Sequence, residues 1–199
     1  MRAEEIRARI TVPWRHGTHV DLSGVRCEGR LDLDGAEIAG VDLTGAEFPD
    51  GVSARGARFN GLCWWRGARF GGPAEFAGAR FLSDARFEDG RFDAGADFSD
   101  AEFRGIARFD RIAVRGGLSL ARSVAYGNVS LERAEIAGPA ALRGAEWLGG
   151  LWCEGCRLPA EADLGETEVH GRLWLRRATI GAAALRPERF GSSFGYSYC

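Results

Sequence analysis

The sequence contains no lysine: all 26 of its basic residues are arginine. That excludes a Walker A loop, a Schiff-base lysine and a Ser-x-x-Lys nucleophile. Histidine is nearly as scarce, with three residues, so base–nucleophile pairs are hard to draw. Charge of one sign is lacking too. The formal net charge is −2, which excludes the strongly basic footprint of a general nucleic-acid binder, so no direct nucleic-acid partner is expected. No apolar run approaches the roughly 18 residues of a membrane span, and the N-terminal stretch has no signal-peptide pattern. A cytoplasmic location without a membrane partner is the expectation. No cofactor motif is present. The chain is long enough, at 199 residues, to bury roughly 70% of its unfolded surface without disulfide staples. It reads as one domain, or a domain with a tail.

Glycine is abundant, at 29 residues, about twice ordinary usage. The reason is a repeat. From Ala74 to Ala183 the chain divides into ten blocks of eleven. The third position of each block reads Phe76, Phe87, Phe98, Phe109, Leu120, Leu131, Leu142, Cys153, Leu164, Leu175. The eighth reads Phe81, Phe92, Phe103, Val114, Ala125, Ile136, Trp147, Leu158, Val169, Ile180. All are apolar. First and sixth positions are small or apolar, and second and seventh are mostly polar.

A period of eleven also suits a right-handed helical coiled coil. On a helix, however, positions one and three would lie about 200° apart, on opposite faces. On a strand they point the same way. Each block therefore holds two very short strands separated by corners, where Gly, Asp and Asn tolerate left-handed backbone. Such strands are stable only when stacked on equivalents in the next coil. Steps between inward residues alternate five and six, so only an even number of faces keeps register. Two consecutive blocks make one four-sided coil. In the N-terminal half the inward series is Leu22, Cys27, Leu33, Ile38, Leu43, Phe48, Ala54, Phe59, Trp64, Phe70. Fives dominate there, so a coil is one position shorter than two blocks, as from Leu22 to Leu43.

Val41-Asp42-Leu43-Thr44-Gly45, Ala57-Arg58-Phe59-Asn60-Gly61 and Ala96-Asp97-Phe98-Ser99-Asp100 resemble the repeats of the pentapeptide-repeat family. The resemblance runs over 20–183. It implies an all-β fold: a right-handed quadrilateral parallel β-helix, here of seven to eight coils and roughly 36 Å at about 4.8 Å per coil. Residues 1–19 are expected to form a short cap, with a helix over Arg2–Arg9 that uses Ala3, Ile6 and Ile10 as its apolar residues. Residues 184–199 leave the repeat and read as a flexible or loosely docked tail.

Candidate chemistry is sparse. Cys153 and Cys156 form Cys-x-x-Cys but occupy inward block positions, which makes them core residues rather than zinc ligands. Cys27 points in and Cys63 points out. No structural disulfide is expected in a reducing compartment. Gly191-Ser192-Ser193-Phe194-Gly195 matches the nucleophile elbow only by letters, since no histidine follows. His16, His19 and His170 read as solvated surface. Asn128-Val129-Ser130 is a glycosylation sequon by pattern alone. Outward arginines stack one coil apart, Arg58 with Arg80, Arg69 with Arg91 and Arg86 with Arg108, amid acids. Residues 20–50 carry eight acids against Arg26 and Arg30. Trp152 and Trp174 face out one coil apart and should stack. They mark either a contact surface or a patch covered by the aromatic tail.

No enzyme is expected from strands this short, with no cleft and no acid–base pair. Three functions fit the sequence. The end of the tail, Tyr196-Ser197-Tyr198-Cys199, resembles ribosomally made peptides with a modified C-terminal Cys. That resemblance implies a carrier whose Ser192, Ser193, Ser197 and Cys199 are substrates of a tail-modifying enzyme. The repeat family implies an alternative, a DNA mimic that binds or protects DNA gyrase or another topoisomerase, in which a homodimer is allowed. The third is a scaffold that binds a protein partner through Trp152 and Trp174.

Overall fold

The computed structural model describes all residues, Met1–Cys199. Apart from one helix at each end, the chain winds as a four-sided coil of two- and three-residue strands. Strands stack into four sheets, one per side, parallel throughout except for the last strand of the fourth. In chain order within a coil, the first face runs from Leu31–Asp32 to Ala140–Ala141 and has six strands. The second runs from Glu37–Ile38 to Ser192–Ser193 and has eight. The third runs from Val20–Asp21 to Ser197–Tyr198 and has nine. The fourth runs from Glu47–Phe48 to Ala183–Ala184 and has eight. No helix is long and apolar enough to cross a membrane.

The register is that of two blocks per coil. Ala74 pairs with Ala96, Phe81 with Phe103, Ala85 with Ala107, and Phe92 with Val114. Each strand donates and accepts along the coil axis, as in Phe76 N–H to the Asp97 carbonyl at 2.7 Å and Phe87 N–H to the Arg108 carbonyl at 2.8 Å. Backbone groups are thereby satisfied without long strands. The first coil is one residue shorter: Val20 pairs with Val41 and Glu37 with Arg58. The shortening lies in the Ala39-Gly40 corner. There Ala39 N–H bonds the Ile10 carbonyl and Val20 N–H bonds the Gly40 carbonyl.

Inward side chains fill the tube as four ladders. Phe59 and Phe81 stack with centroids 4.8 Å apart, Phe70 and Phe92 4.7 Å, and Phe87 and Phe109 5.3 Å. These rings are fully buried. Burying each contributes about 1.5–3 kcal/mol by area, with more from ring–ring packing. Beyond Phe109 the core narrows to Val114, Leu120, Ala125 and Leu131. Trp147 then sits over Ala125, and its indole N–H reaches the buried Ser123 hydroxyl at 3.2 Å. Large over small keeps the column filled.

The N-terminal helix spans Ala3–Ile10 and buries Ile6 and Ile10 on the first coil. It closes an end that would otherwise expose apolar side chains such as Leu33 and Ile38 and strand edges.

Three expectations need correction. The inward residue after Phe59 is Trp65, not Trp64: Cys63 and Trp65 are buried and Trp64 faces out. The step from Phe59 is therefore six, so the 5–6 alternation reaches further toward the N-terminus than the preference for fives suggested. Burial pushes the Cys63 thiol pKa up. Cys153 and Cys156 lie in the core as expected, but their sulfurs are joined as a disulfide. Positions three and six flank a corner, which turns the two inward side chains toward each other at a Cα–Cα distance of 5.4 Å, within disulfide range. The tail is not free. Ser192–Ser193 pairs with Glu168–Val169, and Ser197–Tyr198 pairs with Leu173–Trp174. Between these and the last full coil, a hairpin pairs Thr179–Ile180 with Ala183–Ala184, and a short 3-10 turn spans Pro187–Arg189. Leu185 and Phe190 are buried over the open end. Backbone pairing to the preceding strands holds residues whose side chains bury little.

Candidate interaction surface

The third face carries the most unusual outward row. From the middle of the rod to its C-terminal end it reads Trp64, Arg86, Arg108, Ser130, Trp152, Trp174, Tyr198, joined in register. Trp152 and Trp174 stack with centroids 4.8 Å apart and planes 7° from parallel. Tyr198 adds a third ring 4.4 Å from Trp174. The second alternative drawn from the sequence, cover by the aromatic tail, is therefore seen in part. The tail covers Trp174, while Trp152 and Tyr198 remain more than a third exposed.

The local cause is a fixed spacing from a tight corner. Gly149, Gly171 and Gly195 each stand three positions before Trp152, Trp174 and Tyr198. A Cβ on Gly149 would stand 2.4 Å from Gly127 backbone, and one on Gly171 2.3 Å from Gly149. Only glycine lets successive coils approach this closely.

Acids line one edge of this face. Glu88, Asp110, Glu132 and Glu154 follow each other one coil apart. Glu154 accepts the Trp174 indole N–H at 3.0 Å and pairs with Arg177, and these bonds, Arg177 first, hold its carboxyl below the usual range. Glu88 is buried, with Arg86 at 2.8 Å and Arg108 at 3.9 Å from one oxygen. Its other oxygen has no partner. Ser130 donates to Asp110. Charged groups and aromatic rings therefore lie side by side on this face.

The other candidates sit elsewhere. Ser192, Ser193 and Ser197 lie in the paired strands of the last coil, and Cys199 is exposed at its end. His16 and His19 line a shallow depression of about 370 Å³ with Trp14, and no acid lines it. His170, read as solvated, is half-buried. Its Nε2 lies 3.3 Å from Glu168 and 3.7 Å from Glu146, and Phe194 of the tail stacks on the ring at 4.7 Å. In the arginine rows Arg58 lies 3.8 Å from Glu37, Arg69 3.5 Å from Glu47 and Arg80 3.7 Å from Glu102, while Arg91 has no ionic partner. Corner arginines pair more closely. Arg111 forks onto Asp89 at 2.7 and 2.9 Å, and Arg122 onto Asp100 at 2.7 Å. Sequence reading missed the acid column, because single acids at corners look like solvated surface until the coil register stacks them.

No curated protein matches the chain. The family model described as pentapeptide repeats (nine copies) matches residues 22–69 and 66–113. The strand register that carries those matches continues unbroken to Ile180. Over residues 22–113 the chain belongs to the pentapeptide-repeat family.

Proposed function

We propose that this protein is a non-enzymatic interaction scaffold whose partner-binding surface is the C-terminal part of the third face. The observation that carries this reading is the exposed Trp152–Trp174–Tyr198 stack. Three aromatic rings on the outside of a rigid rod cost solvation that a purely structural row of polar residues would not. Clustered exposed Trp and Tyr are the usual anchors of protein interfaces. The rod contributes preorganisation, since strand pairing fixes every ring before a partner arrives.

The carrier reading, in which a modifying enzyme acts on Ser192, Ser193, Ser197 and Cys199, has less support. Three of these residues are tied into parallel pairing, and a modifying enzyme needs an extended, accessible segment. The gyrase-binding DNA-mimic reading needs a continuous acidic side. Here the acids are largely engaged by arginines, as in Arg143 with Asp163 at 2.8 Å and Arg157 with Glu135 at 2.8 Å.

The test is affinity capture from the native cells with the wild-type chain and with the double variant Trp152→Ala/Trp174→Ala. Circular dichroism checks the fold. A partner retained by the wild type and lost by the variant supports the proposal. An unchanged set of partners contradicts it.

A further inference from the structure

The flat groups of the third face form a column with one member missing. Arg86 lies over the Trp64 ring, its Cζ 5.8 Å from the centroid, and Arg108 follows one coil on. At the other end come Trp152, Trp174 and Tyr198. Between Arg108 and Trp152 stands Ser130, too short to reach the plane of the stack. Its hydroxyl is turned down onto Asp110. Trp174 covers one side of the Trp152 ring, and the other side looks across the gap toward Arg108. Two coil rises give about 9.6 Å between those groups, room for one planar ring at stacking distance from each. The gap opens as a groove of about 300 Å³ bordered by Arg108, Asp110, Asn128, Ser130, Glu132 and Trp152.

The acid column says what such a ring should carry. Three outward residues of this face meet the acid 20 positions before them. Arg108 meets Glu88 at 3.9 Å, Ser130 meets Asp110, and Trp174 meets Glu154 at 3.0 Å. Glu132 is the acid matched to Trp152, and its one ionic contact is Arg133 at 3.7 Å. The groove therefore presents acceptors at its edge, an aromatic ceiling and a guanidinium floor.

We propose that the gap above Ser130 is a slot for a single aromatic ring with a hydrogen-bond donor at its rim: the phenol or indole of a tyrosine or tryptophan side chain on a partner protein. The ring stacks under Trp152 and over Arg108, which favours an electron-rich π system. Its O–H or N–H donates to Glu132 or Asp110, as the Trp174 indole does to Glu154. An anionic side chain is repelled by the same carboxylates. This inference rests on the third face being the contact surface and names the group it takes.

The probe is N-acetyl-tyrosinamide, added to the full chain and read by saturation-transfer NMR on its ring protons. Saturable binding is expected, at least threefold tighter than that of N-acetyl-phenylalaninamide, which lacks the donor. Ser130→Phe completes the column from within and should abolish it. Should Ser130→Phe fail to fold by circular dichroism, Trp152→Ala, at an exposed position, removes the ceiling and should abolish it instead. No saturable binding up to the solubility of the probe overturns the slot. So does equal binding of the phenylalanine analogue, or binding unchanged in the folded variant. Partner capture that survives Ser130→Phe but not Trp152→Ala/Trp174→Ala leaves the contact face standing and removes the slot alone.

Discussion

Phe76 and Phe98 stand one above the other inside the coil, their ring centroids 4.9 Å apart and their planes 3° from parallel. They hold the same block position in successive coils and follow directly on paired strands of the first face. Each also meets rings from other faces, Phe76 with Phe87 at 5.5 Å and Phe98 with Phe109 at 5.0 Å. Truncating Phe76 leaves a void in the middle of this stack that strand pairing prevents from collapsing. Phe76→Ala should cost about 3–5 kcal/mol, measured by denaturant unfolding, and Phe76→Leu distinctly less.

Corners offer the opposite sign. One corner column reads Gly45, Gly67, Asp89, Arg111, Arg133, Gly155, Arg177, all with positive φ. Arg133 sits at φ 52° and has only the long contact with Glu132 to set against the left-handed strain. Arg133→Gly relieves that strain and loses some unfolded-state entropy advantage. A net stabilisation of roughly 0.5–1 kcal/mol is expected in thermal unfolding.

Ladder acids set the acid limb of stability. The hydrogen bonds from Arg111, Arg122 and Arg143 hold Asp89, Asp100 and Asp163 below the usual carboxylate range. A carboxyl depressed in the folded state binds fewer protons than in the unfolded chain. Its contribution is complete above the unfolded value, about 3.9, and is lost as pH falls through the lower folded one. The melting temperature should hold steady from neutrality to about pH 5 and drop below about pH 4. Asp89→Asn/Asp100→Asn should melt lower at neutral pH and show a shallower acid limb.

Thiol chemistry checks the core register. Cys27 and Cys63 are buried, Cys199 is exposed, and Cys153 and Cys156 are paired. Burial raises the pKa of both Cys27 and Cys63, which removes thiolate. An aromatic disulfide reagent should titrate one thiol in the native chain and three after unfolding without reductant. After reduction it should titrate five. A second fast thiol in the native state that Cys63→Ala removes would mean that Cys63 faces solvent.

The ladder was readable in the sequence because an inward residue every five or six positions leaves a strong apolar signal. Where two neighbours both satisfy it, as at Trp64 and Trp65, spacing alone chose the wrong one. Only the paired strand Cys63–Trp64 fixes which side faces in. Composition misled at the C-terminus. Residues 190–199 bury few side chains, yet Gly195 and Tyr198 repeat the spacing of Gly171 and Trp174 and of Gly149 and Trp152. That signal was present, offset by two positions where the hairpin and 3-10 turn intervene. The Trp152–Trp174 stack was legible from the coil period. The groove beside it was not, because a gap in a column becomes visible only once the rows are aligned.

Every row and every gap described above depends on a coil made of two eleven-residue blocks. Deleting 96–117 removes one whole coil. It places Phe76, Phe81 and Phe87 where Phe98, Phe103 and Phe109 meet Leu120, Ala125 and Leu131. Only Phe92 in place of Val114 against Ile136 is new. Deleting 96–114 instead would force Arg115 into the inward slot of Ala96. The decisive measurement is small-angle scattering combined with thermal unfolding of the two shortened chains. The whole-coil deletion should fold cooperatively into a rod shorter by about 4.8 Å, and the out-of-register deletion should not fold. A whole-coil deletion that fails to fold, or an out-of-register one that folds as well, would contradict the four-sided coil.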